Sequence, residues 1–112
     1  MDPIVKNLDP GDKSWTFLDG SKRSAAILGS VAIGLGHYLP GWRWSIHVHK
    51  QTGKTSEAHI GCILSGHMTI RSVDGSQVTV GPGDAFQVLP GHDAWVTGNE
   101  PCIALDFENR AC

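Results

Sequence analysis

The sequence predicts an all-β fold: a barrel or jelly roll of antiparallel strands with little or no helix. Three observations carry that prediction. Apolar and polar residues alternate over short stretches from about residue 24 onward, the period-two signature of strands with one buried face. Turn residues interrupt these stretches at near-regular spacing, leaving about eight short strands, as barrels and jelly rolls require. The chain has 14 glycines and 6 prolines in 112 residues, a share of about 18% against a usual ~12%. Such a surplus implies many tight turns and disfavours long helices.

A chain of 112 residues has room for one core, so residues 1–112 are expected to form a single domain. Within it, 1–23 reads as an N-terminal arm or edge strand and 24–108 as the barrel core. Pro3, Pro10 and Gly11 mark the arm. The small and apolar residues of 24–39 suit a helix, but Gly29, Gly34 and Gly36 favour two strands around a turn. Residues 42–49 alternate strictly and predict a strand. Trp42, Trp44, Ile46 and Val48 fall on one face, Arg43, Ser45, His47 and His49 on the other.

Lys50 to Ser56 is polar and reads as a loop. A strand from about Ala58 to Leu64 stops at Ser65-Gly66. Met68–Val73 and Gln77–Val80 flank Asp74-Gly75, a hairpin signal that favours a type I′ turn. Gly81-Pro82-Gly83-Asp84 makes another turn, and the strand Ala85–Leu89 ends at Pro90-Gly91. Short strands at 94–97 and 102–108 complete the pattern, separated by Gly98-Asn99-Glu100-Pro101.

Charge narrows the function. With a net charge of −2 and a pI near 6.3, no basic field exists to attract nucleic acid or an anionic membrane. The longest apolar run, Ala25 to Leu28, is far short of a membrane span. The N-terminus lacks the basic and apolar regions of a signal peptide, so a cytoplasmic location is expected. The three cysteines, 62, 102 and 112, are an odd number without metal-like spacing. No disulfide framework is expected. Cys62 lies off the inward parity of its strand and reads as a core or interface residue rather than a nucleophile.

Histidine is the unusual count: six, all between positions 37 and 92. On a strand, His47 and His49 project side by side, a spacing at which two imidazoles can share one metal ion. His59 opens the next strand, with Glu57 as a competing carboxylate, and His92 follows a turn, where functional residues commonly sit. His37 and His67 read as surface residues. Arg43, on the same face as His47, is a candidate for bidentate contact with a substrate carboxylate.

From Gly41 onward the sequence resembles the cupin superfamily of small double-stranded β-helix barrels. Gly41, five residues and His47-Val48-His49 match the opening of the family's first motif, and Gly66 matches its close. His59 occupies the position usually held by the acidic metal ligand. Pro82-Gly83-Asp84 and Pro90-Gly91 match the second motif, whose histidine would fall at Ala94, two residues after His92. The runs Pro40–Ser45 and Leu89–Trp95 also resemble a signature of small bacterial cupins.

The resemblance implies a divalent metal (Zn, Fe, Ni, Cu or Mn) held by His47, His49 and His59; the family's fourth ligand is missing, and His92, on the same face as Ala94 by strand parity, is the candidate to replace it. It also implies dioxygenase, isomerase or cyclase chemistry on a small molecule; Arg43 and Trp95 are the candidate substrate contacts, and a homodimer is expected. The alternative is a metal-free barrel that binds or senses a small ligand, with the same histidines as pocket walls or proton-transfer groups. A third reading is an oligomerising module in which the face of Trp42, Trp44, Ile46 and Val48 packs inside the sandwich or at a dimer interface.

Overall fold

Alternating residues become strands where one face can be buried against a second sheet, and in this chain two sheets supply that burial. The computed structural model describes residues 3–109. Among them, the first sheet comprises β1 (Lys13–Thr16), β2 (Lys22–Leu28), β3 (Val31–Tyr38), β9 (Cys102–Asn109), β4 (His59–Ser65) and β7 (Ala85–Val88), in that spatial order. The second comprises β6 (Gln77–Val80), β5 (His67–Arg71) and β8 (Asp93–Thr97), again in spatial order. Every strand pairing is antiparallel. This is the jelly-roll barrel the alternation predicts.

The faces follow strand parity. Along β3, Ala32, Gly34, Gly36 and Tyr38 are buried inward while Val31 and His37 are exposed. Inward residues of both sheets, among them Ile63, Met68, Ile70, Val88, Val96 and Cys102, form the buried core. Each fully buried aliphatic side chain of this kind contributes about 1.5–3 kcal/mol. Burial pushes the Cys102 thiol up to about 11. Cys62 and Cys102 are free thiols, and Cys112 lies outside the described residues.

Two local expectations need correction. Asp74-Gly75 does join a hairpin, but not through a type I′ turn. That turn needs positive φ at both central residues, and only Gly75 has it, at +91°. Instead Gly75 N donates to Ser72 O, Ser72 N donates to Ser76 O, and the Asp74 carboxylate accepts from Ser76.

The second correction is larger. Residues 42–49 are not a strand. They carry two single-turn helices, α1 (Trp44–His47) and, beyond Val48, α2 (His49–Thr52), closed by Gly53 at φ 70°. The alternation is deceptive because positions four apart share a face in a helix as well as in a strand. Trp44 and Val48 both pack on the core. Ile46, halfway between them, distinguishes the two geometries: it is 44% exposed. Gly53 in the left-handed region is the glycine C-cap a helix end favours. No helix among the described residues is long and apolar enough to cross a membrane.

Candidate functional site

The inner face of the large sheet carries more than apolar side chains. Arg23 on β2 and Asp106 on β9 both point inward and meet over Gly34 of β3, which is the register partner of Asp106, while Arg23 reaches it diagonally from opposite Gly36. Arg23 Nη2 donates to Asp106 Oδ1 at 2.6 Å and Nε donates to Oδ2 at 3.0 Å, a bidentate pair. Burial works against the Arg23 charge, but the hydrogen bonds and charge of Asp106 outweigh it and hold the guanidinium ionised above its ordinary range. A Cβ on Gly34 would lie 2.5 Å from both partners. Bare backbone is therefore what lets the pair lie flat. Tyr38 lies over Gly36 and Phe86 over Gly61 in the same way. Burial, reinforced by the Asp106 charge, raises the Tyr38 phenol, which stays a neutral O–H.

These residues line a half-open cavity of about 410 Å³, within the ~300–1,000 Å³ typical of small-molecule pockets. Trp42, Phe86, Met68 and Ile70 form apolar wall, and His59 and His92 add a polar patch. The two imidazoles have ring centroids 5.2 Å apart. His92 Nδ1–H donates to Leu89 O at 2.9 Å and His59 Nδ1–H to Glu57 O at 3.1 Å. Each ring therefore keeps an unprotonated Nε2 when neutral. Burial, with the neighbouring His59 adding to it, lowers the His92 imidazole below its ordinary value despite the Leu89 bond. Trp42 is 3% exposed, and its indole N–H is the buried side-chain polar group without a partner among the described residues.

The segment from Trp44 to Glu57 closes one side of the cavity. It is fastened at both ends, to β8 at one and to the turn that precedes β8 at the other. Asp93 accepts from Arg43 Nε at 2.8 Å, from Ser45 Oγ at 2.9 Å and from Ser45 N at 3.0 Å. Burial pushes the Asp93 carboxyl up, and these bonds together pull it below the usual carboxylate range. At the far end, Ser56 Oγ donates to His92 O at 2.6 Å and Gly91 N donates to Ser56 O at 3.0 Å. Ser56 links the end of this segment to the backbone of a cavity histidine.

The expected four-histidine ligand set does not assemble. His47 and His49 follow the helical turns, so they no longer project side by side. His47 Nδ1 accepts from Arg43 N, and His49 Nδ1–H donates to Lys54 O. Only His59 and His92 share the cavity. Among the described residues no three His, Cys, Asp or Glu side chains group so as to hold a metal ion. Two imidazoles fall short of the three protein ligands a catalytic divalent metal usually takes. The donor set does not fit the metal implied by the resemblance.

Arg43 and Trp95 are likewise placed outside the cavity wall. Trp95 shares the outward parity of Asp93 and Thr97, and the Arg43 guanidinium lies 4.5 Å from its ring centroid, a cation–π contact. Sequence reasoning missed Arg23, Asp106 and Tyr38. A signal was present in Gly34 and Gly36 at alternate positions of one strand, since interior glycines mark close approach of another group.

Similarity to known proteins fits this architecture. Residues 34–108 match the model of the cupin domain family, and the chain belongs to the cupins. Solved structures resemble it over most of their length at low identity. A protein of unknown function from Vibrio parahaemolyticus is 16% identical with a TM-score of 0.65, over 85% of this chain and 95% of that one. A sugar phosphate isomerase of the cupin superfamily from Silicibacter pomeroyi is 14% identical with a TM-score of 0.69, over 96% and 76%. A cupin-like protein from Thermotoga maritima is 13% identical with a TM-score of 0.67, over 98% and 83%. Curated protein sequences gave no match.

Proposed function

We propose that this cupin binds a small, uncharged hydroxylated or carbonyl compound in the barrel cavity without a resident metal. The observation that carries the reading is the Trp42 indole N–H, buried in the cavity wall without a partner. An unsatisfied buried donor costs about 1–3 kcal/mol, and a ligand oxygen is the acceptor that would recover it. The charges favour a neutral ligand, because Arg23 and Asp106 already compensate each other. A hydroxyl can accept from one and donate to the other. Arg43, expected to receive a carboxylate, is committed to Asp93. His92, held neutral by burial, is a base positioned for proton exchange with the ligand. Dioxygenase, isomerase or cyclase chemistry that depends on a metal would need a ligand set this cavity does not assemble.

The test is thermal stabilisation of the purified chain by a panel of small polyols, sugars, hydroxyketones and matched carboxylates, with and without chelator. A neutral compound should raise the melting temperature equally in both conditions. Stabilisation abolished by chelator, or confined to the carboxylates, would refute the reading.

A further inference from the structure

The aromatic residues of the chain are gathered at one place. Of its eight Trp, Tyr and Phe side chains, six line the cavity: Trp15, Phe17, Tyr38, Trp42, Trp44 and Phe86. Three of the six are not committed to the core, since Trp44 and Phe86 are only partly buried and Trp15 is exposed. Two rings frame the floor: Tyr38 covers Gly36 and Phe86 covers Gly61. Gly36 pairs with Ala104, Ala104 pairs with Ile63, and Gly61 lies two residues along β4 from Ile63. With strands ~4.8 Å apart and residues ~3.4 Å apart, the two covered glycines are roughly 12 Å apart along the sheet. Between them the floor is the single methyl group of Ala104, which also lines the cavity. Aromatic rings in contact have centroids about 4.5–7 Å apart. One further ring placed between Tyr38 and Phe86 would thus lie roughly 6 Å from each, in contact with both.

Each side of this frame carries a hydrogen-bonding group of opposite sense. The Trp42 ring lies 4.3 Å from that of Tyr38, and its N–H is the buried donor without a partner. The His59 ring lies 6.2 Å from that of Phe86, edge to face. With Nδ1 of His59 and of His92 bonded to backbone carbonyls, their Nε2 atoms are left as acceptors.

We propose that the ligand of this cavity is a planar aromatic compound, a ring carrying a carbonyl at one end and a hydroxyl at the other. The proposal rests on the neutral-ligand reading and narrows it. A carbonyl oxygen has lone pairs and no proton, which matches the Trp42 N–H. A hydroxyl has a proton to give, which matches an imidazole Nε2. The ring joining them takes the place framed by Tyr38 and Phe86. A sugar or other polyol fits less well. It carries hydroxyls all round, and those set against the aromatic wall would lose their hydration without a protein partner. A saturated ring with the same two substituents keeps both hydrogen bonds, but it is thicker and has no π face to set against the two rings.

Titration calorimetry of the full chain with three probes tests this: 4′-hydroxyacetophenone with its phenol protonated, its saturated counterpart 4-acetylcyclohexanol, and dihydroxyacetone. The aromatic ketone should bind about tenfold more tightly than either of the others, the scale of two ring contacts. Equal or tighter binding of the saturated or open-chain probe would overturn the aromatic assignment and leave the neutral-ligand reading standing. Binding by none of the three would overturn the assignment too, while the broader reading stands or falls on the panel of polyols, sugars and hydroxyketones. Phe86→Leu removes one of the two ring contacts and should cut the aromatic advantage to about threefold, with 4-acetylcyclohexanol held within about twofold of its wild-type affinity. An unchanged advantage, or an equal loss for both probes, would count against the frame. Should Phe86→Leu not fold, proton resonances of 4′-hydroxyacetophenone on the wild type provide a second measurement. Its ring protons should move upfield on binding, under the ring currents of Tyr38 and Phe86. Ring protons that stay in place on binding would overturn the proposal equally.

Discussion

Two Arg–Asp pairs, one bidentate and one held by a single guanidinium bond, do opposite things in this barrel. Arg23 and Asp106 meet on the inner face of the large sheet, on strands separated by the whole length of the core sequence, and become part of the cavity wall. Arg43 and Asp93 meet outside, where the pair fastens a helical segment to β8 and lies against Trp95. The first pair is the more enclosed, and it presents its polarity to whatever enters the cavity. The second spends its polarity on the protein's own backbone and Ser45. Identical residue types therefore say little about role until the face of the sheet is known.

The sharpest way to break the contrast is to remove one acid from each pair. Asp106→Ala leaves an inward guanidinium without its counter-charge, and a broken buried pair costs about 3–5 kcal/mol. Because both side chains retain some solvent access, a loss near the lower end is expected in urea unfolding, together with loss of ligand binding. Asp93→Ala should cost about 1–2 kcal/mol, the scale of a few hydrogen bonds that water can partly replace. Its larger signature should be faster proteolysis within residues 44–57 than within the strands. Equal stability losses and equal protection of that segment would erase the distinction.

Trp42→Phe should leave the fold within about 1 kcal/mol of the wild type, since deleting an unsatisfied donor removes its own penalty. Ligand affinity should still fall about tenfold, or ~1.4 kcal/mol, as measured by titration calorimetry. The smallest expected effect is that of pH. His92 is depressed in the folded chain below its ordinary 6.5, so the unfolded chain binds more protons below that pH. Stability contributed by the neutral ring is complete above about 6.5 and declines as the pH falls toward the folded value. Unfolding free energies at pH 7.5 and 5.5 should show a drop for the wild type that is smaller in His92→Gln.

Much of the fold was legible because turns are written in local chemistry. Asp74-Gly75, Pro82-Gly83 and Pro90-Gly91 each punctuate alternating stretches that do become strands. The misread stretch, 42–49, shows the limit of periodicity. Over one or two turns, a spacing of four satisfies both a strand and a helix, and only Ile46 separates them. The ligand reading depended on that strand and moved with it, which is why His47 and His49 left the site while His59 and His92 remained. Arg23 and Asp106 were hard to see for another reason. Their partnership spans 83 residues of sequence, and only the β2–β3–β9 order of the sheet brings them across one glycine.

Gly34, Gly36 and Gly61 set a rule for how this cavity can diversify. Each lies beneath a side chain that occupies the space its own Cβ would fill: the Arg23–Asp106 pair, Tyr38 and Phe86. The floor is already at its lowest level, and raising it by one methyl group would evict what rests on it. Exchange of the covering side chains has no such obstacle. Replacing Phe86 with a smaller residue uncovers main chain at Gly61 and deepens the chamber in a single step. Adaptation to new ligands is thus directional in this barrel: toward larger guests through the residues that roof the glycines, and not toward smaller ones through the glycines themselves.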